Sequence, residues 1–336
     1  MMPDYERLLA DVKSRVDRAR LRAAASLNEA TLRLYWDIGR LIVERQEKEG
    51  WGDAVIERLA RDLKRAFPDA RGFSRRNLFQ MRLLFISYRQ VPNCADASAQ
   101  LGWSHNVLIL RKIGDPAARL WYLREAARNG WSVRVLRHQI DTDLYRRQAL
   151  SAKTHNFRKT LPPSRSDLAE EMLKDPYRFD FIGLGPRARE RDLERALVNR
   201  LRDFLLELGV GFAFVGRQYR LEVGGREHFI DLLFYHLKLR SYVAIDLKMG
   251  EFEPADLGQM NFYLSALDDL ARHAEDLPSI GLILCREKNR TTVEYALRDL
   301  DRPVGVAEWQ SVPGAFRGCL PSPEQLAAEL EKGDLS

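Results

Sequence analysis

Two apolar runs, "HFIDLLFYH" at 228–236 and "RSYVAIDLK" at 240–248, constrain this chain more than any other feature. Both are rich in the β-branched, aromatic and aliphatic residues of buried strands. Yet the first contains Asp231, and the second contains Asp246 and ends at Lys248. Successive side chains of a strand point to opposite faces. Phe229, Asp231, Leu233 and Tyr235 therefore share one face of the first run. Ala244, Asp246 and Lys248 share a face of the second, with Val243, Ile245 and Leu247 on the other. If the runs pair as a hairpin around "HLKLR", Asp231 and Asp246 come close near the strand ends. Two poorly solvated carboxylates repel unless a cation lies between them. Carboxylate oxygens suit Mg²⁺ or Mn²⁺, and the Ile245 carbonyl is available to complete a shell. Lys248, on the same face, can orient or help deprotonate a water and offset charge at a phosphate under attack. Taken alone, Asp-x-Lys is a short pattern that an ordinary buried ion pair would also produce.

The flanking sequence predicts where these runs sit. A helix is expected over 188–208, then strands over 212–223, 227–236 and 240–248. A helix opens at Pro254 and runs to about 271. An apolar strand "SIGLILCRE", a short helix near 291–299 capped by Thr291, and a last strand "VGVAEW" follow. The order α-β-β-β-α-β-α-β predicts an α/β domain, a mixed sheet with helices on its faces.

The first half carries helical periodicity throughout. Leu8, Leu9, Val12 and Val16, then Leu32, Leu34, Ile38, Leu41 and Ile42, recur at helical spacing, and Gly50 and Gly52 interrupt the pattern. A helix over 53–67 ends at Pro68. After the turn "PDARGF", Ser74 caps a helix whose apolar stripe is Leu78, Met81, Leu84 and Phe85. Arg75, Arg76, Asn77, Gln80 and Arg82 occupy its other face. Helix, short turn and helix, with Arg, Asn and Gln at the start of the second, resemble a helix-turn-helix reader of nucleic acid. A helical hairpin with a solvated basic face would look the same. Residues 91–100 read as a loop. Helices are expected near 104–113, 116–129 and 132–148, the last with Arg134, Arg137, Arg146 and Arg147 along it. Residues 151–166, aperiodic and with a Pro pair, read as a linker. The expected organisation is thus a helical, basic, nucleic-acid-binding domain at 1–150 and a catalytic domain at 167–336, a division that 336 residues allow.

Charge follows the same division. Residues 1–160 hold 31 Lys and Arg against 18 Asp and Glu, a net +13, while 161–336 hold 23 against 30, a net −7. Such a basic half suits a polyanion. No apolar run approaches the ~18–20 residues of a membrane span. The N-terminus lacks an apolar h-region, so no signal peptide is expected. Cys94, Cys285 and Cys319 are too scattered for a disulfide framework or a zinc site, and a reducing cytoplasm fits.

The pattern Asp231…Asp246-x-Lys248 across a hairpin in an α-β-β-β-α-β setting resembles the PD-(D/E)xK, or restriction-endonuclease-like, nuclease superfamily. The wider string from "FLLELGVGF" to "GQMNFYLSAL" resembles the YhcG family, which joins a helical N-terminal domain to such a nuclease domain. The resemblance implies that Asp231 and Asp246 bind metal and that Lys248 is the catalytic lysine. It also implies that Glu194, chosen over Glu190 and Glu207, adds a further metal-binding acid. Gln259 and Tyr263, one turn apart, resemble the Gln-xxx-Tyr element of the RecB-related nucleases, which lies beside the active site. Gln218 is expected to point toward the same cleft. Two departures stand out: Ile230 replaces the Pro of the motif, and Asp246 stands where this family would have Glu, one methylene longer.

The function implied is a Mg²⁺- or Mn²⁺-dependent endonuclease acting on nucleic acid, DNA first, in restriction and phage defence or in recombination and junction repair. A homodimer and a partner within a defence or recombination complex are compatible with that role, and no membrane association is expected. Two other readings remain: a non-cleaving nucleic-acid-binding scaffold on a nuclease fold, and an interaction subunit. No Gly-x-x-x-x-Gly-Lys-Ser/Thr signature is present for nucleotide hydrolysis.

Overall fold

The amphipathic repeat of the first half folds into helices. In the computed structural model, which describes residues 3–49, 54–70, 72–184 and 188–311, the chain forms two compact units, Met1–Tyr145 and Arg146–Ser336. Gly50, Gly52 and Cys319 lie outside the described residues, as do the side chains of Leu8, Leu9 and Val16.

The first unit contains α1 (Pro3–Glu49), α2 (Ala54–Ala66), α3 (Arg75–Tyr88), α4 (Pro92–Ala99), α5 (Trp103–Lys112), α6 (Pro116–Asn129) and α7 (Val133–Asp141). Ser74 caps α3 as expected, its hydroxyl accepting the Asn77 N–H at 3.3 Å. Leu78, Met81 and Leu84 are buried, but the stripe continues to Tyr88 rather than to Phe85, which is half-buried. The expected loop at 91–100 is helix α4. Its buried face is made of small residues, Cys94 and Ala97, which carry little periodic signal, and Pro92 occupies its first turn. Asn106, itself buried, secures the far end of α4 by donating to the Ser98 and Leu101 carbonyls at 3.1 and 3.4 Å. The helix expected over 132–148 stops at Asp141. Asp143 is left-handed (φ 50°), and Arg146–Leu150 form a π-helical turn. Arg147 is thereby turned inward to a buried pair with Glu207, so part of the positive charge is structural rather than presented to solvent.

In the second unit, β1 (Thr154–His155), α8 (Phe157–Thr160), α9 (Pro163–Met172) and β2 (Tyr177–Arg178) precede α10 (Glu190–Asn199) and α11 (Leu201–Leu208). Then come β3 (Phe212–Val223), β4 (Arg226–His236), β5 (Ser241–Leu247), α12 (Pro254–Leu270), β6 (Ile280–Cys285), α13 (Arg290–Leu297) and β7 (Val304–Gln310). The strands form one mixed sheet in the order β1-β7-β6-β5-β4-β3, with β2 also on β7. β3, β4 and β5 are antiparallel neighbours, while β5, β6 and β7 run parallel. Arg200 (φ −114°, ψ 35°) divides the expected helix 188–208, and Leu197 before it and Phe204 after it reach the same core. The cap of α13 is Asn289, whose side chain accepts the Thr292 N–H, rather than Thr291.

Strand alternation distributes the core as the sequence predicts. Leu232, Phe234, Val243, Ile245 and Leu247 pack with Leu193, Leu197, Phe204 and Leu208 of α10 and α11. Leu233, Ala244 and Ile283 pack with Met260 and Leu264 of α12 on the other face. Gly281 makes that second layer close: a Cβ there would lie 2.6 Å from the Met260 side chain.

The segment 151–166 is not a linker. β1 extends the sheet, Phe157 is buried in its core, and the Pro162-Pro163 pair opens α9. Asn156 holds the segment in place. Its amide donates to the Leu300 and Arg302 carbonyls at 3.0 and 2.8 Å and accepts the Val304 N–H at 2.8 Å. Its apolar content is low because polar and backbone bonds do the attaching. Asn156→Ala leaves the buried Val304 N–H without a partner, a cost of about 1–3 kcal/mol. Urea denaturation should show that loss, whereas a free linker would show none.

Candidate active site

Asp231 lies one residue before the first β4–β5 pair, Leu232 opposite Ile245. Its Oδ2 accepts the Leu247 N–H at 3.0 Å, which brings it beside the β5 end that carries Asp246 and Lys248. The Lys248 backbone is fixed on both sides. Its N–H donates to the Leu284 carbonyl at 2.8 Å, and its carbonyl accepts the indole N–H of buried Trp309 at 3.0 Å. The Lys248 Nζ stands 3.0 Å from Asp246 Oδ2 and 3.3 Å from Asp256 Oδ1. It also donates to Gln259 Oε1 at 3.4 Å, and the Gln259 amide donates to the Tyr263 hydroxyl at 2.6 Å. Lys248, Gln259 and Tyr263 are thus one connected chain, with Tyr263 anchored in the core and Gln259 exposed.

On the other side, α10 buries Glu194 and aims it at Asp231. The Gln218 amide nitrogen joins the two carboxylates, donating to Glu194 Oε2 at 2.6 Å and to Asp231 Oδ1 at 3.0 Å. Arg217 reaches Glu194 at 3.7 Å. Gln218 has φ 45°, a left-handed conformation for a non-glycine residue inside a strand. Such strain costs on the order of 1–3 kcal/mol and is kept where the side chain is needed. The other two acids weighed for this role are elsewhere: Glu190 is exposed, and Glu207 is taken by Arg147 and by the Arg178 N–H.

The electrostatics are those of a crowded acidic site. Burial pushes the Asp246 carboxyl up to about 7; Lys248 works against the shift and Asp231 adds to it. Asp246 Oδ2 is buried, and the Lys248 ammonium at 3.0 Å is its charge partner. Burial also raises Glu194; the Gln218 hydrogen bond opposes this and the Asp231 charge adds to it. Burial works to lower Lys248, but Asp246 and Asp256 outweigh it and hold the ammonium above its ordinary value. In this arrangement Lys248 is a cation rather than a proton acceptor.

The hard carboxylate oxygens of Asp231, Asp246 and Glu194 fit Mg²⁺ or Mn²⁺ chemically. Among the described residues, however, no three His, Cys, Asp or Glu side chains form a ready-made metal cage. Gln218 stands between Glu194 and Asp231, and Lys248 stands against Asp246. Sequence reading missed Asp256, whose other oxygen accepts the Glu253 N–H at 2.9 Å as a helix cap. A capping acid at the start of the helix after the Asp-x-Lys strand is the signal that would have found it.

The five basic-face residues of α3 separate. Arg76, Asn77 and Gln80 line a cleft of the first unit. Arg75 instead pairs with Glu57 at 2.8 Å and lies over the Phe79 ring, and Arg82, half-buried, does not line that cleft. Asn77 is not available to a base. Its amide donates to the Gly72 carbonyl at 2.5 Å, and its oxygen accepts the Trp103 indole N–H at 2.6 Å.

This sheet, with an Asp…Asp-x-Lys site at the end of its central hairpin, is that of a PDDEXK nuclease domain. Residues 170–329 match the model of the YhcG PDDEXK nuclease domain, and residues 11–147 match the DUF1016 N-terminal domain. The chain is 34% identical over 360 residues to the "Putative nuclease YhcG" of Escherichia coli (strain K12), covering 97% of this chain and 93% of that one. It therefore belongs to the YhcG family. A repair endonuclease from Pyrococcus abyssi, known from a crystal structure, aligns at 12% identity over 39% of this chain and 50% of its own, with a TM-score of 0.26. That likeness is too slight to bear on function. Among the described residues no helix is long and apolar enough to cross a membrane.

A carboxyl whose value is higher in the folded chain than in the unfolded one loses stability as pH rises between the two values. For Asp246 that interval runs from the ordinary carboxylate value of 3.8 to about 7. In metal-free buffer, Asp246→Asn should raise Tm little near pH 5 and more at pH 8. Thermal scans across that range would show the widening gap.

Proposed function

We propose that the protein is a divalent-metal-dependent endonuclease that hydrolyses DNA phosphodiester bonds. The observation that carries this reading is the convergence of Glu194, Asp231, Asp246 and Lys248 on one end of the sheet, with two carboxyls displaced upward by burial and mutual charge. A structural ion pair needs one acid; this site holds four, counting Asp256, around one lysine and one glutamine.

Asp231, Asp246 and Glu194 would hold Mg²⁺ or Mn²⁺, which supplies Lewis-acid polarisation of the phosphate and a water of lowered pKa. Lys248, kept protonated by Asp246 and Asp256, offsets the charge that develops on the phosphate oxygens. Gln259 holds the ammonium from the helix side, and Tyr263 holds Gln259. Leu247 N–H and the Gln218 amide fix the rotamer of Asp231, so that its oxygens need not reorganise when the site is filled. The basic first unit supplies affinity for the polyanion, and that binding should weaken steeply with salt.

The test is cleavage of supercoiled plasmid, linear duplex, single strands and a four-way junction in Mg²⁺, Mn²⁺ or EDTA. Cutting should require metal, and Lys248→Ala should lower the rate by about 10²–10³-fold, the range found when one transition-state donor is removed. Salt-sensitive binding without cutting by either protein would favour the non-cleaving scaffold. The substrate cut fastest would distinguish a restriction or defence role from junction repair.

A further inference from the structure

We propose that a cleft between α3, α5 and α7 of the first unit binds single-stranded nucleic acid, taking a phosphate and an unstacked base. The inference rests on the nucleic-acid reading above but not on cleavage. The cleft has a volume of about 850 Å³, and its walls carry Arg76, Arg111, Lys112 and Arg137 with no acidic side chain among the described residues. Lys112 is paired with Asp141 of α7. Arg76, Arg111 and Arg137 have no acidic partner among the described residues. On α3, by contrast, Arg75 outside the cleft is matched by Glu57 at 2.8 Å. Three unmatched guanidinium groups around one recess repel one another, and an anion relieves that cost.

Two neutral features narrow the anion to a nucleotide strand. Trp103 lines the cleft half-buried, its indole N–H given to Asn77 and its ring edge-on to Tyr35 at 4.7 Å, so the part of the ring that faces the cleft offers carbon rather than a polar group to a base. Gln80 also lines it, and its amide oxygen is buried without a hydrogen-bond partner. A side-chain rotation that brings this unused acceptor to the cleft surface would suit the amino group of a base. A simple polyphosphate or an acidic peptide would use neither.

Shape then favours a single strand over a duplex. A helix that reads the major groove must project from its domain. Here Arg76 and Gln80 line the walls of a recess, and Asn77 is spent on the fold. A flexible strand with splayed bases can enter such a recess, in the manner of stacking platforms with a basic track.

The experiment measures binding of labelled single-stranded and duplex DNA of equal length to the full chain in EDTA, where cleavage does not intervene, as a function of salt. Arg111→Ala/Arg137→Ala should weaken single-strand binding about tenfold or more and lower the salt slope by about 0.7, the value of one phosphate contact. Duplex affinity should change less, and quenching of tryptophan fluorescence by the single strand should fall in Trp103→Phe. Gln80→Ala, a milder change, should lower single-strand affinity with Tm preserved. Unchanged single-strand binding in the double variant, or equal losses for single strand and duplex, would overturn the proposal. Lys248-dependent cutting measured on the same variants keeps the two readings apart, because the nuclease can survive failure of the cleft and the cleft can survive absence of cutting.

Discussion

The acidic site of the second unit is arranged around the cost of keeping Asp246 ionised inside a sheet. A carboxylate at 4% exposure, near Asp231, is not a stable arrangement by itself. Lys248 partly offsets it from two residues along the strand, and Asp256 and Gln259 hold Lys248 from the following helix. Trp309 and Leu284 lock the backbone under Lys248, so β6 and β7 matter to the site although they contribute no reacting group. The fold thus supplies positive charge and fixed geometry but stops short of satisfying the acids. That residual deficit is what a divalent cation would fill, and it separates this site from an ordinary buried ion pair.

Gln218 plays a complementary part. Without metal, its amide nitrogen is the group that keeps Glu194 and Asp231 together. An amide carries only partial charge, so it moderates the repulsion without cancelling it. The left-handed backbone at Gln218 is the local cost of aiming that side chain inward.

The central hairpin was legible because its signal is strong: alternation fixes the face of every residue, and a charged residue on a buried face has few explanations. The assignments of Asp231, Asp246 and Lys248 to one strand end, and of Gln259 and Tyr263 to one helix face, follow from periodicity and agree with the geometry. What was not legible depended on contacts between segments remote in sequence. The segment around Asn156 reads as a linker because its attachment to Leu300, Arg302 and Val304 is polar. α4 reads as a loop because Cys94 and Ala97 are small. The strain at Gln218 leaves no trace in residue type, since glycine would be the expected occupant of a left-handed position. In sequence the α3 face resembles a helix-turn-helix reader or a solvated basic hairpin alike; in the fold Asn77 and Arg75 are engaged, and the available cations come from α5 and α7 as well as α3.

On the proposed function, the acids at the end of the sheet hold a divalent cation. Binding of Mn²⁺ to the purified chain, followed by electron paramagnetic resonance as loss of the free-ion signal, tests it without reference to any substrate. Saturable binding to the wild-type chain that is abolished by Asp231→Asn and by Asp246→Asn, with both variants folded, is the predicted result. Equal Mn²⁺ uptake by all three proteins, or none by the wild type, would contradict the account and leave Asp246 and Lys248 as a structural pair.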